Sequence, residues 1–304
     1  MAQTGQFLHG GFYLGSADFY DWVRRMAREP NTLGMQRISL INEISGPDFE
    51  REALQRRHAR FFNTCMMATV LGGAASETLA DGRVVSGVGG QYNFVSMGHS
   101  LPEARSVLML RAARSVAGRR ESNIRTEVAS LTIPRHLRDV CVTEYGIADL
   151  RDRTDADCIR AMLAVSEAAF QPGLLQAAQA ARKLPAQDTL PATGHANTPA
   201  RLREVLRPFR RSGLLPDYPL GSDFTPVEQH LVRALGWLKE NTDTRWEKAR
   251  TLLDTALDLI REPQPSPEVQ AALQRMGLDA PEGAEQKLLA ELLEKALRET
   301  ASAG

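Results

Sequence analysis

Up to about Phe170, short apolar runs rich in β-branched residues alternate with stretches whose apolar positions recur every three or four residues. This alternation predicts an α/β layer fold, an open sheet flanked by helices. Strands are expected at Arg37–Ile41, Phe61–Val70, Arg83–Ser86, Ser106–Leu110 and Val140–Thr143, and helices at Asp48–Ala59 and Asp155–Phe170. The last of these helices carries a start signal. Thr154 caps, Asp157 answers it, and Ile159, Met162, Leu163 and Phe170 line one face.

After Phe170 the pattern changes. Lys183–Asn197 holds prolines and few large apolar side chains and reads as a surface connection. Helical patterns then open at Thr198-Pro199, Thr225-Pro226 and Ser266-Pro267, each a capping residue followed by proline at the first helical position. Trp246, Leu252, Leu253, Ala256, Leu257 and Ile260 recur at helical spacing, a packing stripe to which no chemistry is assigned. The expected organisation is an α/β domain over residues 1–185, a linking segment over 186–224 and a mostly helical C-terminal extension over 225–304.

Composition narrows the partners. A chain of 304 residues with 43% hydrophobic content is long enough for a substantial core. Lys plus Arg equals Asp plus Glu at 37 each, so there is no bulk attraction to nucleic acid or to an anionic membrane, and neither is an expected partner. Any anion site must be local. Cys65, Cys141 and Cys158 form no Cys-x-x-Cys pair and read as buried thiols in a reducing compartment. No apolar run approaches the length of a membrane span, and Met1–Gly5 lacks the regions of a signal peptide, so a cytoplasmic protein is expected. His9, His58, His99, His136, His195 and His230 show no paired ligand spacing, and no metal is expected.

Two segments carry candidate chemistry. Ser86-Gly87-Val88-Gly89-Gly90-Gln91-Tyr92-Asn93-Phe94 is a glycine-dense loop ahead of a helical pattern. Its glycines permit positive φ and let backbone approach an anion or a carbonyl closely, although an ordinary tight turn fits the same residues. The spacing misses the dinucleotide fingerprint, and no Gly-Lys-Ser/Thr follows, so NAD and ATP are disfavoured. In the second segment, Val140-Cys141-Val142-Thr143-Glu144-Tyr145-Gly146-Ile147-Ala148-Asp149-Leu150-Arg151, an apolar strand breaks at polar residues and a glycine. Strand ends are where α/β sheets bind ligands, and Gly146 is either an oxyanion donor or a helix-start glycine. Between the two segments, Arg111, Arg114, Arg119, Arg120 and Arg125 read as a solvated hairpin surface, with a phosphate clamp as the alternative.

Together, Ser86–Gln91 and Val142–Arg151 resemble the C-terminal domain of the acetyl-CoA hydrolase/CoA-transferase family, clearly over Phe61–Phe170 and more weakly from the start of the chain to Phe224. The resemblance implies two similar open α/β domains with the acyl-CoA site between them, of which this chain holds the second. A partner chain supplying the first domain, or a homo-oligomer, is therefore implied. So is coenzyme A or acyl-CoA as substrate, with Gly87, Val88, Gly89, Gly90, Gln91, Phe94, Glu144 and Tyr145 against it and Gly146 in the oxyanion hole. A second oxyanion donor of the family falls near Met97.

Family chemistry runs through a glutamate that attacks the thioester, forming an acyl anhydride and then a glutamyl-CoA thioester. The matching stretch here is Asn63-Thr64-Cys65-Met66-Met67-Ala68-Thr69, which places Met67 at the glutamate and Thr69 at a neighbouring aspartate. Cys65 is a candidate substitute nucleophile, sharing a face with Met67 if the strand is regular. Glu77 and Glu144 are nearby carboxylates that are not assigned as nucleophiles. Two expectations follow: an acyl-CoA hydrolase or CoA-transferase-like enzyme half, or a non-catalytic acyl-CoA-binding module of the same descent.

Overall fold

A computed structural model describes residues 8–29, 33–44, 48–116, 118–190, 194–219, 221–241 and 265–301. The strands are β1 (Leu8–Gly10), β2 (Leu33–Met35), β3 (Arg60–Thr64), β4 (Met67–Thr69), β5 (Ala74–Ala75), β6 (Arg105–Met109), β7 (Ala113–Val116), β8 (Arg119–Ser122), β9 (Ile124–Arg125), β10 (Val140–Thr143) and β11 (Gly146–Asp149). The helices are α1 (Ala17–Met26), α2 (Ile38–Asn42), α3 (Phe49–Gln55), α4 (Gln91–Ser100), α5 (Asp155–Ala164), α6 (Gln171–Ala180), α7 (Pro199–Arg211) and α8 (Pro226–Asn241). Two further helices span Pro267–Arg275 and Gly283–Ala301.

The chain packs as two compact units. One comprises residues up to Leu14 and Trp22–Asp217, and the other Gly15–Asp21 and Tyr218–Gly304. In the first unit the principal sheet has the order β11-β10-β6-β3. β3, β6 and β10 run parallel, in register Thr64↔Met109 and Val142↔Met109, while β11 folds back antiparallel on β10. A smaller sheet has the order β5-β4-β9. Its Ala68 and Ile124, with Val70 just beyond β4, join Cys141 and Ala148 of the larger sheet, Leu150 just beyond β11, and Cys158, Ile159, Met162 and Leu163 of α5 in one apolar core.

Several elements depart from the sequence expectation. Arg37–Ile41 is not a strand, since Ile38–Asn42 forms α2; a short apolar run does not distinguish the two states. The expected strand Phe61–Val70 breaks at Cys65–Met66, so that β3 pairs with β6 while β4 pairs with β5 and β9. Arg83–Ser86 supplies only an isolated bridge from Val84 to Thr78. The helix from Asp155 stops at Ala164, with a separate short turn at Ala168–Phe170.

The capped starts are present. Thr154 Oγ1 accepts from the Asp157 N–H at 3.2 Å, Thr198 from Arg201 at 3.2 Å, Thr225 from Glu228 at 3.3 Å and Ser266 from Val269 at 3.4 Å. In the second unit, Leu231 and Ala234 of α8 pack with Val269, Ala272 and Leu273 and with Leu293, Ala296 and Leu297 of the last two helices. The stripe from Trp246 to Ile260 lies outside the described residues.

Candidate functional site

The parallel strands bring the two candidate segments to one border of the sheet. β3 ends at Thr64 and β10 at Thr143, with β6 between them. Two interstrand steps therefore separate these ends, roughly 10 Å. Gln91, the first residue of α4, donates from Nε2 to the Thr64 carbonyl at 2.9 Å and accepts at Oε1 from the Ser76 hydroxyl. One amide side chain thus ties the glycine loop to the end of β3 and to the residue after β5.

The loop itself faces solvent. Gly87, Val88 and Gly89 are exposed, and a Cβ built on Gly87 or Gly89 meets nothing within 4 Å. None of the three loop glycines has positive φ, so their left-handed freedom is not what the fold uses. Gly90 differs from the other two: a Cβ there would lie 2.9 Å from Nδ2 of buried Asn42 and 3.3 Å from the Phe94 ring. Phe94 stacks on Phe61 with ring centroids 5.9 Å apart and packs against the cluster of Met97, Leu101 and Ala104. It is a packing residue here, as is Met97, buried inside α4 with its sulfur 3.7 Å from Arg56.

Thr143-Glu144-Tyr145-Gly146 is a two-residue hairpin rather than a helix start, with Thr143 paired to Gly146. Its conformation is fixed from several sides. Glu144 Oε2 accepts from the Ala112 N–H at 2.8 Å, clamping the chain that leaves β6. Thr143 Oγ1 donates to the Val165 carbonyl at 2.7 Å and accepts from the Tyr145 N–H at 3.1 Å. The Tyr145 hydroxyl donates to Glu167 at 3.3 Å, and Arg120 also reaches that carboxylate. Burial, then the nearby carboxylates of Glu167 and Glu144, hold the phenol protonated. At Gly146 a Cβ would touch Val165 Cγ1 at 3.4 Å.

The residues considered for nucleophilic attack are poorly disposed for it. Met67 is fully buried in β4. Cys65 lies in the break between β3 and β4, so the regular pleat that would align it with Met67 is absent. Although Cys65 keeps some surface, burial pushes its thiol up to about 12, leaving almost no thiolate at neutral pH. Cys141 is pushed up further by its own burial. Glu77 is buried, its carboxylate accepting from the Thr132 hydroxyl.

The arginine-rich stretch forms the β7–β8 hairpin. There Glu121 lies 3.2 Å from Arg125 and 4.0 Å from Arg114. A cavity of about 590 Å³ lies at the opposite border of the sheet, lined in part by Arg105, Arg138, Asp139, Arg151 and Asp155. Much of its charge is structural, with Arg138 donating to Leu71, Arg153 and Asp155 and Asp139 accepting from the Ser106 N–H. Among the described residues no group of His, Cys, Asp and Glu is arranged to hold a metal, and no helix is long and apolar enough to cross a membrane.

Sequence reasoning missed Asn42, Thr64, Ser76 and Glu167, the residues that hold the two segments in place. Each is joined to its site by a contact distant in sequence, and no local pattern announces such contacts.

Residues 15–178 match the profile of the acetyl-CoA hydrolase/transferase C-terminal domain. A "Probable butyrate:acetyl-CoA coenzyme A-transferase" of Syntrophomonas wolfei is 29% identical over 120 residues, covering 38% of this chain and 27% of that protein. A 4-hydroxybutyrate coenzyme A transferase of Clostridium kluyveri is 26% identical over 168 residues, 54% of this chain and 36% of that protein. The aligned region thus spans only about a third of either relative. A mutant form of RipA, a protein of Yersinia pestis, superposes with a TM-score of 0.50 at 19% identity, over 58% of this chain and 37% of that one, a likeness of fold.

Proposed function

This chain belongs to the acetyl-CoA hydrolase/transferase C-terminal domain family, and on that premise we propose that it forms the second half of an acyl-CoA hydrolase or CoA-transferase. Its substrate is an acyl-CoA thioester bound at the sheet border where the glycine loop and the Glu144–Gly146 hairpin meet. The observation that carries this reading is the Gln91 link, which fixes an open, glycine-rich loop beside the end of β3, two strands from the hairpin. Gly87 and Gly89 leave room for the thioester and its pantetheine arm. Gly146 is the proposed backbone donor to the oxyanion that forms when the thioester carbonyl is attacked, its N–H being shared with the Thr143 carbonyl that it faces across the hairpin. Tyr145 and Glu144 brace that turn, and Phe94 supports the loop from behind.

The nucleophile lies outside this set of residues. If Met67 occupies the position of the family glutamate, as the alignment of Asn63–Thr69 suggests, a thioether stands where a carboxylate would attack, and it is sealed from solvent. Turnover then requires a carboxylate or an activated water delivered by a partner chain or a second copy. The buried Met67 also favours a second reading, a non-catalytic acyl-CoA-binding module. A cytoplasmic location fits both.

The test is CoA release from acetyl-CoA beside calorimetric binding, for the chain alone and with any protein encoded directly upstream. Release that survives Cys65→Ala supports the enzyme half without a cysteine nucleophile, and binding without release supports the module. Absence of binding in every combination refutes both.

A further inference from the structure

The strongest feature outside the proposed site is the end of α7. Leu202, Val205, Leu206 and Phe209 recur at the spacing of one helical face, while Arg203, Arg207, Arg210 and Arg211 take the other. Leu202 and Leu206 are half-buried, but Val205 is 45% and Phe209 47% exposed.

The helix terminus enlarges this apolar face. Gly213 adopts φ +73°, and the Leu214 N–H donates back to the Phe209 carbonyl at 3.0 Å, with Leu215 reaching the same oxygen at 3.3 Å. That reversal is a glycine-terminated Schellman turn, which brings the residue after the glycine back toward the last helical turn. Leu214 is 71% and Leu215 45% exposed, so an aromatic ring and two leucines form one projecting apolar tip.

The charge around the tip is predominantly positive. Over residues 199–217 five arginines stand against Glu204 and Asp217, and Glu204 is held by Arg201 at 2.8 Å. Among the described residues Arg203, Arg210 and Arg211 make no side-chain hydrogen bond or ion pair, and Arg207 acts on Glu204 only through its charge. Exposed apolar side chains beside an excess of exposed arginines match a surface that is negatively charged at its face and apolar just beneath it.

We propose that α7 and its Leu214–Leu215 turn form a peripheral docking site for an anionic lipid bilayer, the arginines meeting headgroups and Phe209, Leu214 and Leu215 entering the interface. The balanced charge of the whole chain does not oppose this, because exposed charges act over about 10 Å at moderate salt and α7 is locally cationic. The site shares no residue with the proposed thioester border.

The experiment is co-sedimentation of the full chain with phosphatidylcholine vesicles containing phosphatidylglycerol, against pure phosphatidylcholine, at low and high salt. Binding to anionic vesicles that weakens with salt is expected. Arg207→Gln with Arg211→Gln lowers the partition coefficient roughly 25-fold, as about fivefold per arginine implies. Leu214→Gln lowers it about fivefold or more through lost apolar burial. Circular dichroism should be unchanged in both variants, since these side chains are exposed. Equal binding to neutral vesicles, no binding to anionic ones, or binding unaffected by either variant overturns the proposal. So does concentration-dependent self-association abolished by Leu214→Gln without vesicle binding, which assigns the tip to a protein contact.

Discussion

Replacing Gly89, and separately Gly87, by alanine separates the requirements of the fold from those of a ligand. A Cβ at either position meets no atom within 4 Å, and neither residue has positive φ, so the folded chain should accept both changes without strain. Alanine also narrows the unfolded ensemble, which stabilises by about 0.4–1 kcal/mol when the native backbone is compatible. For a domain of this size that is a rise in Tm of roughly 1–4 °C. If the loop lies against the thioester or its pantetheine arm, the same methyl enters space the ligand needs. One added carbon in a fitted pocket costs about 1–3 kcal/mol, or roughly 10- to 200-fold in affinity. The assay pairs thermal unfolding with calorimetric titration of acetyl-CoA. Weaker binding at unchanged or raised Tm supports the loop as a pocket wall. Unchanged affinity in both variants refutes its contact with the ligand, and a fall in Tm of several degrees refutes the open-space reading.

Three other outcomes follow from described contacts. Gly90→Ala should destabilise by about 1–3 kcal/mol in urea unfolding, because its methyl would press on buried Asn42 and the Phe94 ring. Native protein at pH 8 should react slowly with a thiol reagent at Cys65, whose thiol stays protonated up to about 12, whereas the unfolded chain should label quickly at Cys65, Cys141 and Cys158. Asp149 is held near 2 mainly by the side-chain hydrogen bonds of Arg151, below its unfolded value of 3.8. Its contribution is therefore present above about pH 4 and lost as pH falls through about 2. The pair is well exposed, so Asp149→Asn should cost only about 0.5–1 kcal/mol at pH 6, and the difference from wild type in urea midpoint should vanish toward pH 2.

What the sequence made legible was local. Thr154, Thr198, Thr225 and Ser266 announce their helices because a cap and its N–H lie three residues apart. β6 and β10 are legible as short apolar runs. β11 is not, because the turn before it is Glu144-Tyr145, lacking the glycine or asparagine that marks two-residue hairpins. The break at Cys65–Met66 is equally hidden, since β4 leaves its apolar continuation with β3 to pair with β5 and β9. At the candidate site the glycine loop and Thr143–Gly146 were readable as two segments. That they share a border depends on strand order, and that Gly90 is constrained depends on Asn42, 48 positions away.

The strand order has a consequence for handling the protein. β3 closes the principal sheet on one side, and its Phe62 is 63% exposed. A bordering strand with an outward aromatic ring invites pairing between molecules. Two features blunt that tendency: exposed Arg60 fixes its guanidinium on the carbonyls of His58, Ala59 and Glu103, and Gln91 occupies the Thr64 carbonyl at the far end. Arg60 is therefore expected to guard this edge against aggregation. Its neutralisation should show first as lost solubility in concentrated stocks, before any change in the melting curve.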